Sequence, residues 1–524
     1  MIKTDENWSE IVSKHESHIA RLEQKLKEME LLVRFYEEQF RLAKHRQFGA
    51  SSEKSRYDIN QLSIFNEAET TAEPALAEPE LIEIEKHYRK AKRASSDRLP
   101  EDLPIEVVEH ELPAEERVCP ECGEPLHTMG RETRREMKVI PAQVIVVEHV
   151  QHIYSCRNCE NNEISVPILK APMPAPVIKG SFASAEAVAH IMTQKFVMGS
   201  PLYRLEQEFH RNDIMLSRQT MSNWLIRCAL DWLSPIYEQM KAELLEHEVL
   251  FADETTLQVL HEPGKIAQSK SYMWLYRTGG DAVNSIVLYE YQPDRRAIHP
   301  LNFLRGFSGY LHADGYDGYH KLPKNIVIVG CWSHCRRKYD EAIKSLPEKD
   351  REGSAALRGI QYCDKLFEIE RRLTDLLPED RYERRQEVAK PVVEEFFSWA
   401  ESLKVLPKSG IGKAVYYTIS QSKYLERYLL DGRLECNNNR SERSIKPFVI
   451  GRKNWLFNNT PKGALASSII YSIIETAKEN GLNPFDYLTR LFKNAPNVDF
   501  HNDPNILESF MPWRQSDSNL TSVN

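Results

Sequence analysis

Val249-Leu250-Phe251-Ala252-Asp253-Glu254-Thr255-Thr256 decides how this chain folds: four apolar residues run directly into two carboxylates and two threonines. A short, continuous apolar run of this kind reads as a buried strand. Working outward, residues 272–276 and 285–291 read as two further strands, with the turn residues Gly279-Gly280-Asp281 between them. A helix-like stretch over 296–307 leads to Tyr310-Leu311-His312-Ala313-Asp314, a fourth strand, and 326–330 makes a fifth. Three consecutive strands, a crossover and two more strands separated by a short helix match the order of a ribonuclease-H-like sheet, in which the first strand is central. That order predicts Asp253 at the end of the central strand and Asp314 at the end of its neighbour.

Two carboxylates on adjacent strand ends repel each other unless cations sit between them. Two Mg2+ (or Mn2+) ions roughly 3.5–4 Å apart would relieve that repulsion and clamp the attacking and leaving oxygens of a phosphoryl transfer. A third carboxylate is needed to complete the oxygen ligation. The run Asn437-Asn438-Asn439-Arg440-Ser441-Glu442-Arg443-Ser444 offers one: an Asn N-cap, then a helix presenting Glu442. Arg440, Arg443, Lys446, Arg452 and Lys453 lie close by in sequence for DNA phosphates. Glu435 is the rival, and periodicity does not choose between them.

Between residues 336 and 432 the chain reads as helices over 340–346, 355–377 and 383–403, too long for a loop and therefore a helical insertion, with an acid/base mix that looks solvated. Residues 484–513 read as a short C-terminal tail. Upstream of the sheet, 183–197 and 202–210 read as helices. After the break Arg211-Asn212-Asp213, Ser217 is an N-cap candidate for a third helix that opens with Arg218, Gln219, Thr220 and Asn223. Two helices across a short turn have helix-turn-helix shape, and Arg218, Gln219 and Asn223 are of the types that reach base edges.

Further upstream, Cys119-Pro-Glu-Cys122 and Cys156-Arg-Asn-Cys159 form two C-x2-C knuckles, enough for four thiolates around one structural Zn2+. Strand-like alternation over 144–154 suggests a zinc-ribbon-like module, and His127, His149 and His152 are spare candidate ligands. Residues 67–85 are rich in glutamate and 86–98 turn basic, a charge-segregated linker. At the N-terminus Ile19, Leu22, Leu26, Met29, Val33, Tyr36, Phe40 and Ala43 alternate spacings of three and four, a heptad seam that predicts a coiled coil and self-association, ending near Gly49.

The expected architecture is therefore a multidomain α/β chain. It comprises a coiled coil (1–49), a linker (50–103), a zinc-binding module (104–170) and a helix-turn-helix-like segment (177–245). A ribonuclease-H-like core follows (246–480, insertion 340–432), then the tail (481–524). The chain has 524 residues and a net charge of −8, so no basic coat covers it and DNA contacts must come from local patches. The first ten residues are polar with no apolar signal core, and no apolar run approaches the roughly 20 residues of a membrane span. Nine cysteines, four of them in tight pairs, point to reducing cytosol and metal rather than a disulfide framework. These features predict a cytoplasmic protein, associated with the nucleoid when bound to DNA.

The strings ADET (252–255), LHADGYDGYHKL (311–322), GCWSHCRRKYD (330–340), NNNRSERSIKPFVIGRKNWLF (437–457) and YSIIETAKENGLNPFDYL (471–488) resemble the insertion-sequence 66 family of bacterial transposases. RQFGASSEKS (46–55), LPEDLP (99–104) and CPECG (119–123) are similar to that family's leucine-zipper and zinc-finger segments. The resemblance implies a DDE transposase that cuts and joins DNA at the ends of its own element, with the triad on Asp253, Asp314 and Glu442. It makes small companion proteins of the element plausible partners. Cys331 and His334 are similar to a C-x2-H motif found after the second aspartate of several DDE groups, although the bland reading, a packed Cys and a satisfied His, is favoured over metal binding. Asn437 departs from the family's usual Asp. Two other classes stay open: a ribonuclease-H-like nuclease without joining activity, and a zinc and helix-turn-helix DNA-binding regulator. A coiled-coil scaffold would leave the knuckles and aspartates without a use.

Overall fold

The computed structural model describes residues 144–155 and 168–514 and most positions between 12 and 40. The four knuckle cysteines, Cys119, Cys122, Cys156 and Cys159, and the linker lie outside the described residues. Two compact units emerge, one joining Met1–Glu53 to Pro174–Asn524 and the other Lys54–Met173. Within the second, β1 (Ile153–Ser155) pairs antiparallel with β2 (Ile168–Lys170). The strand-like alternation expected over 144–154 thus forms a ladder only at its last residues.

The described positions between 12 and 40 are helical, and the seam residues Ile19, Leu22, Leu26, Met29, Val33, Tyr36 and Phe40 are all exposed. An apolar stripe that its own chain leaves in water is what a zipper helix presents to a partner.

In the first unit, α1 (Ala185–Phe196) is capped by Ser184, whose side chain accepts the Ala187 amide. α2 (Leu202–Arg211) turns through Asp213, at φ 58°, into α3 (Arg218–Cys228), where Ser217 caps the Thr220 amide. α4 (Ser234–Leu244) then leads to the sheet: β3 (Val249–Gln258), β4 (Lys270–Thr278), β5 (Val287–Gln292), α5 (Ile298–Phe303), β6 (Gly309–His312) and β7 (Ile326–Val329). The strand order is β5-β4-β3-β6-β7. β4 is antiparallel to both β3 and β5, whereas β6 is parallel to both β3 and β7. Asp253 does not end its strand, as the apolar run suggested: pairing with β4 carries β3 on to Gln258, so Asp253 faces Leu275 in mid-strand.

Seven helical segments follow. They are α6 (Trp332–Ser345), α7 (Ala355–Arg372), α8 (Pro378–Arg384), α9 (Lys390–Ser402), α10 (Gly410–Leu425), α11 (Asn439–Trp455) and α12 (Pro461–Glu479), succeeded by α13 (Pro484–Asn494) and α14 (Pro504–Ser509). α6 begins eight residues earlier than position 340 because Trp332, Cys335, Tyr339 and Ala342 form a buried stripe at helical spacing that the polar His-Cys-Arg-Arg-Lys string disguises. α10 lies outside the helices expected from the sequence; Ser409 caps it, and Gly412 fits where a side chain would strike the Leu406 carbonyl, 1.9 Å from a Cβ built there.

β3 divides two cores by simple alternation. Leu250 and Ala252 join one apolar cluster with α1, α3, α4 and α12, and Val249 and Phe251 join another with Trp332, Tyr339, Phe396 and Tyr428 of the helical segment. Each fully buried side chain of this size contributes about 1.5–3 kcal/mol. The insertion therefore covers one face of the sheet. Its acid/base mix is not all solvated, because Arg385 is buried, paired with Glu370, and donates to the carbonyls of Tyr428, Asp431 and Leu434. The expected tail is likewise structural: Tyr487, Leu488, Leu491 and Phe492 of α13 lie in the first core. The edge strand β5 has its backbone satisfied by α12, with Ser472 Oγ accepting the Tyr289 amide at 2.7 Å and Thr476 Oγ1 the Val287 amide at 3.0 Å.

Candidate active site

Parallel pairing of β3 with β6 ends at Phe251 opposite His312. Carried two residues further, the same register sets Asp253 level with Asp314, just past the end of the ladder. The approach is rigid: the Phe251 and His312 rings stack with centroids 4.2 Å apart, and His312 is fully buried, its imidazole pushed down to about 3 by burial, with Arg385 and Arg440 adding to the effect. Asp253 Oδ1 accepts the Glu254 amide at 2.8 Å, and Asp314 Oδ1 the Tyr316 amide at 2.9 Å.

The third carboxylate arrives on α11. Asn438 stands at its N-cap but its side chain does not cap; the Nδ2 donates instead to the Ala252 carbonyl at 2.9 Å, while its own amide donates to Cys331 Sγ at 3.1 Å. The start of α11 is thus fastened both to the residue before Asp253 and to the start of α6. One turn on, Glu442 Oε1 lies 3.7 Å from His334 Nδ1 and Oε2 lies 3.7 Å from Arg337 Nη2. Of the two candidates, Glu442 joins the aspartates electrostatically, whereas Glu435 is held by Arg440 at 2.7 Å.

Charge is concentrated here. Burial raises the Asp253 carboxyl well above the usual carboxylate range, and Glu254, Glu442 and Asp314 push it further. Burial lowers the His334 imidazole against the opposing pull of Glu442. Glu442 Oε1 and His334 Nδ1 are buried and lack hydrogen-bond partners. Oxygen donors that repel one another, beside orphaned buried acceptors, suit divalent cations such as Mg2+ or Mn2+.

Sequence reasoning passed over a fourth carboxylate. Glu254, whose side chain is 2% exposed, receives Arg295 Nε at 2.7 Å and the Tyr319 hydroxyl at 2.7 Å. Arg295 also approaches Asp314 at 3.9 Å and stacks 3.9 Å over the Tyr316 ring. Strand alternation sends Glu254 to the face opposite Asp253, which is the one signal that could have found it. Nothing in Asp294-Arg295-Arg296 singles out Arg295.

The remaining predicted residues divide. Arg218, Gln219 and Asn223 are exposed on α3, with Arg218 3.8 Å from Glu206. Arg443 and Lys453 are exposed and Lys446 half-buried. Arg452 donates to the hydroxyls of Thr255 and Thr256 on β3, so it braces the sheet as Arg440 braces Glu435. No described helix is long and apolar enough to cross a membrane.

Comparison with known proteins matches this chain to a family. The model described as "Transposase IS66 family" matches residues 180–466, and the "IS66 C-terminal element" matches 472–513. The "zinc-finger binding domain of transposase IS66" matches 116–160, and "Transposase C of IS166 homeodomain" matches 36–108. Two uncharacterized proteins of Sinorhizobium fredii (strain NBRC 101917 / NGR234) are similar. y4jD is 30% identical over 79% of this chain and 81% of its own length, and y4qI is 30% identical over 89% and 86%. Among solved structures, the Drosophila P element transposase strand transfer complex aligns over 61% of this chain and 94% of that one, at 12% identity and a TM-score of 0.23, too low to bear on the fold. The chain belongs to the IS66 family of transposases, enzymes of the DDE type.

Proposed function

We propose that Asp253, Asp314 and Glu442 are the catalytic triad of a transposase that cleaves DNA at the ends of its own insertion sequence and joins the freed 3′-hydroxyl to target DNA. The observation that carries this is the convergence of three half-buried carboxylates, from β3, the end of β6 and α11, with Asp314 and Glu442 both acting electrostatically on Asp253. The strand order β5-β4-β3-β6-β7 supports reading the core as ribonuclease-H-like.

Bound among these side chains, two divalent cations would activate the attacking water or hydroxyl and offset charge on the leaving oxygen. Asp253 and Asp314, abreast on adjacent strands, and Glu442, from the helix, would be the carboxylates that hold them. Asn438 ties that helix to β3 through Ala252 and to the start of α6 through Cys331. Phe251 and His312, fully buried and stacked on each other, support the two strands just before the aspartates. Arg443, Lys446 and Lys453, on the same helix as Glu442, would hold DNA phosphates, and the exposed Arg218, Gln219 and Asn223 would contact the element end. The four knuckle cysteines would hold one structural Zn2+. The exposed N-terminal seam would pair protomers so that two ends are held together.

A strand-joining assay tests the reading. It uses DNA from the ends flanking the gene, with Mg2+ or Mn2+, and compares the protein with Asp314→Asn. The expected result is metal-dependent joined product that vanishes in the variant. Cleavage without joining would favour a plain nuclease. DNA binding without chemistry would favour a regulator.

A further inference from the structure

The site holds a nitrogen donor that the triad does not use. His334 sits on the first turn of α6, and its Nδ1 is buried, without a hydrogen-bond partner, 3.7 Å from Glu442 Oε1, itself buried and without one. That separation is too long for a hydrogen bond. Two buried polar atoms facing each other across such a gap are costly unless something lies between them. Their spacing is one that a single cation, about 2.0–2.3 Å from each, can bridge.

Cys331 Sγ belongs to the same cluster, the ligand atoms of Cys331, His334 and Glu442 lying within 4.8 Å of one another. Its sulfur, however, already accepts the Asn438 amide at 3.1 Å. The thiol therefore acts as the latch of α11, and the donors left facing the gap are one nitrogen and one carboxylate oxygen. Asp314 and Asp253 also act electrostatically on this corner, through His334 and Glu442 respectively, so negative charge accumulates where the gap lies.

We propose that His334 is a direct ligand of the divalent cation held by Glu442, making that metal position a mixed nitrogen and oxygen site. This rests on the reading of Glu442 as the third member of the triad. Imidazole ligation favours Mn2+ over Mg2+, which takes oxygen donors almost exclusively.

The test is pulsed electron paramagnetic resonance of Mn2+ bound to the full-length, zinc-loaded protein, alongside calorimetric titration of Mn2+. Nitrogen modulation of the Mn2+ echo is expected in the native protein and absent in His334→Gln. Loss of an outer-shell partner already weakens metal affinity about 10–100-fold, so the variant should bind Mn2+ at least about 10-fold more weakly. Should His334→Gln fail to fold, native protein labelled with 15N-histidine answers the same question, because a coordinated imidazole must change its modulation frequency. Mn2+ that binds with no nitrogen modulation, or with modulation that survives His334→Gln, overturns the proposal while leaving the triad intact. Native protein that binds no Mn2+, whatever the variant does, overturns the triad reading as well.

Discussion

Replacing Asn438 with alanine separates the fold from the chemistry. The side chain is 1% exposed and its Nδ2 bonds the Ala252 carbonyl at 2.9 Å, the residue before Asp253. A side-chain hydrogen bond of this kind contributes about 0.5–1.5 kcal/mol, and the abandoned carbonyl costs about 1–3 kcal/mol if it stays dry. Part of this is offset, because Asn438 Oδ1 is itself buried without a partner and disappears with the substitution. A net loss of about 1–2 kcal/mol follows, which at roughly 2–4 °C per kcal/mol leaves the protein folded at assay temperature. Catalysis should suffer far more. Once this bond is gone, the start of α11 keeps its amide bond to Cys331 but loses its tie to β3, and a displacement of about 1 Å in a catalytic group costs about 100-fold. The expected outcome is a melting temperature lower by a few degrees and a strand-joining rate lower by about two orders of magnitude, measured together on one preparation. A variant that joins DNA within about threefold of the native rate would refute the claim that this bond sets the position of Glu442.

Asp253→Asn should stabilise the protein while abolishing joining. The folded carboxyl is raised by burial and by Glu254, Glu442 and Asp314, so its favourable contribution is complete at low pH and lost as the pH rises above about 4. Melting curves between pH 5 and 8 without added divalent cation should fall with pH in the native protein and flatten in the variant. Arg295→Ala strands the buried Glu254 carboxylate; the loss should lie near about 2–3 kcal/mol, below the usual ~3–5 kcal/mol because Arg295 is 40% exposed, and Glu254→Gln in the same chain should recover most of it in a denaturation cycle. Gly309→Ala puts a Cβ 2.3 Å from the Glu248 carbonyl at a φ of 151°, so β6 must shift against β3, and both melting temperature and joining should fall. Truncation of the N-terminal helix, with its exposed seam, should convert a dimer or larger assembly to monomer on light scattering; a full-length monomer would contradict the zipper reading.

Much of the sheet was legible because its strands are short apolar runs bounded by turns, and β3 and β7 announce themselves by composition alone. The aspartates were legible for the same reason, since each directly follows such a run. What the sequence concealed has physical causes. The extension of β3 past Asp253 depends on the partner β4, not on the residues Glu254-Thr255-Thr256 themselves. α10 has two glycines in its first turn, which suppress local helix propensity, yet tertiary packing against α6 and α9 overrides that. Asn438 looked like a cap and is a tether, a distinction that lies 186 residues away at Ala252. Nothing local in the sequence marks Arg295 or Arg385, and only the folded chain supplies the carboxylates and carbonyls that hold them.

The site also explains why the sheet needs a core on each face. Asp253, Asp314 and Glu442 come from segments far apart in sequence, and without cations their mutual repulsion works to separate them. A loop-borne cluster would spring apart under that load. Here each carboxylate is tied to a buried element. Asp253 lies on a strand packed on both faces, Asp314 follows a strand whose last residue stacks on Phe251, and Glu442 rides a helix fastened to Ala252 and Cys331. Arg385 extends the same support from the insertion, gripping the carbonyls of the segment that leads into α11. On the proposed triad, this grip of Arg385 would help to hold the third carboxylate beside the other two, a task that the insertion's charged surface does not advertise. Arg385→Met keeps the bulk but removes that grip, and it should raise the Mn2+ concentration needed for half-maximal joining while leaving DNA affinity unchanged. Unchanged metal dependence in a folded variant would mean that the insertion merely covers the sheet.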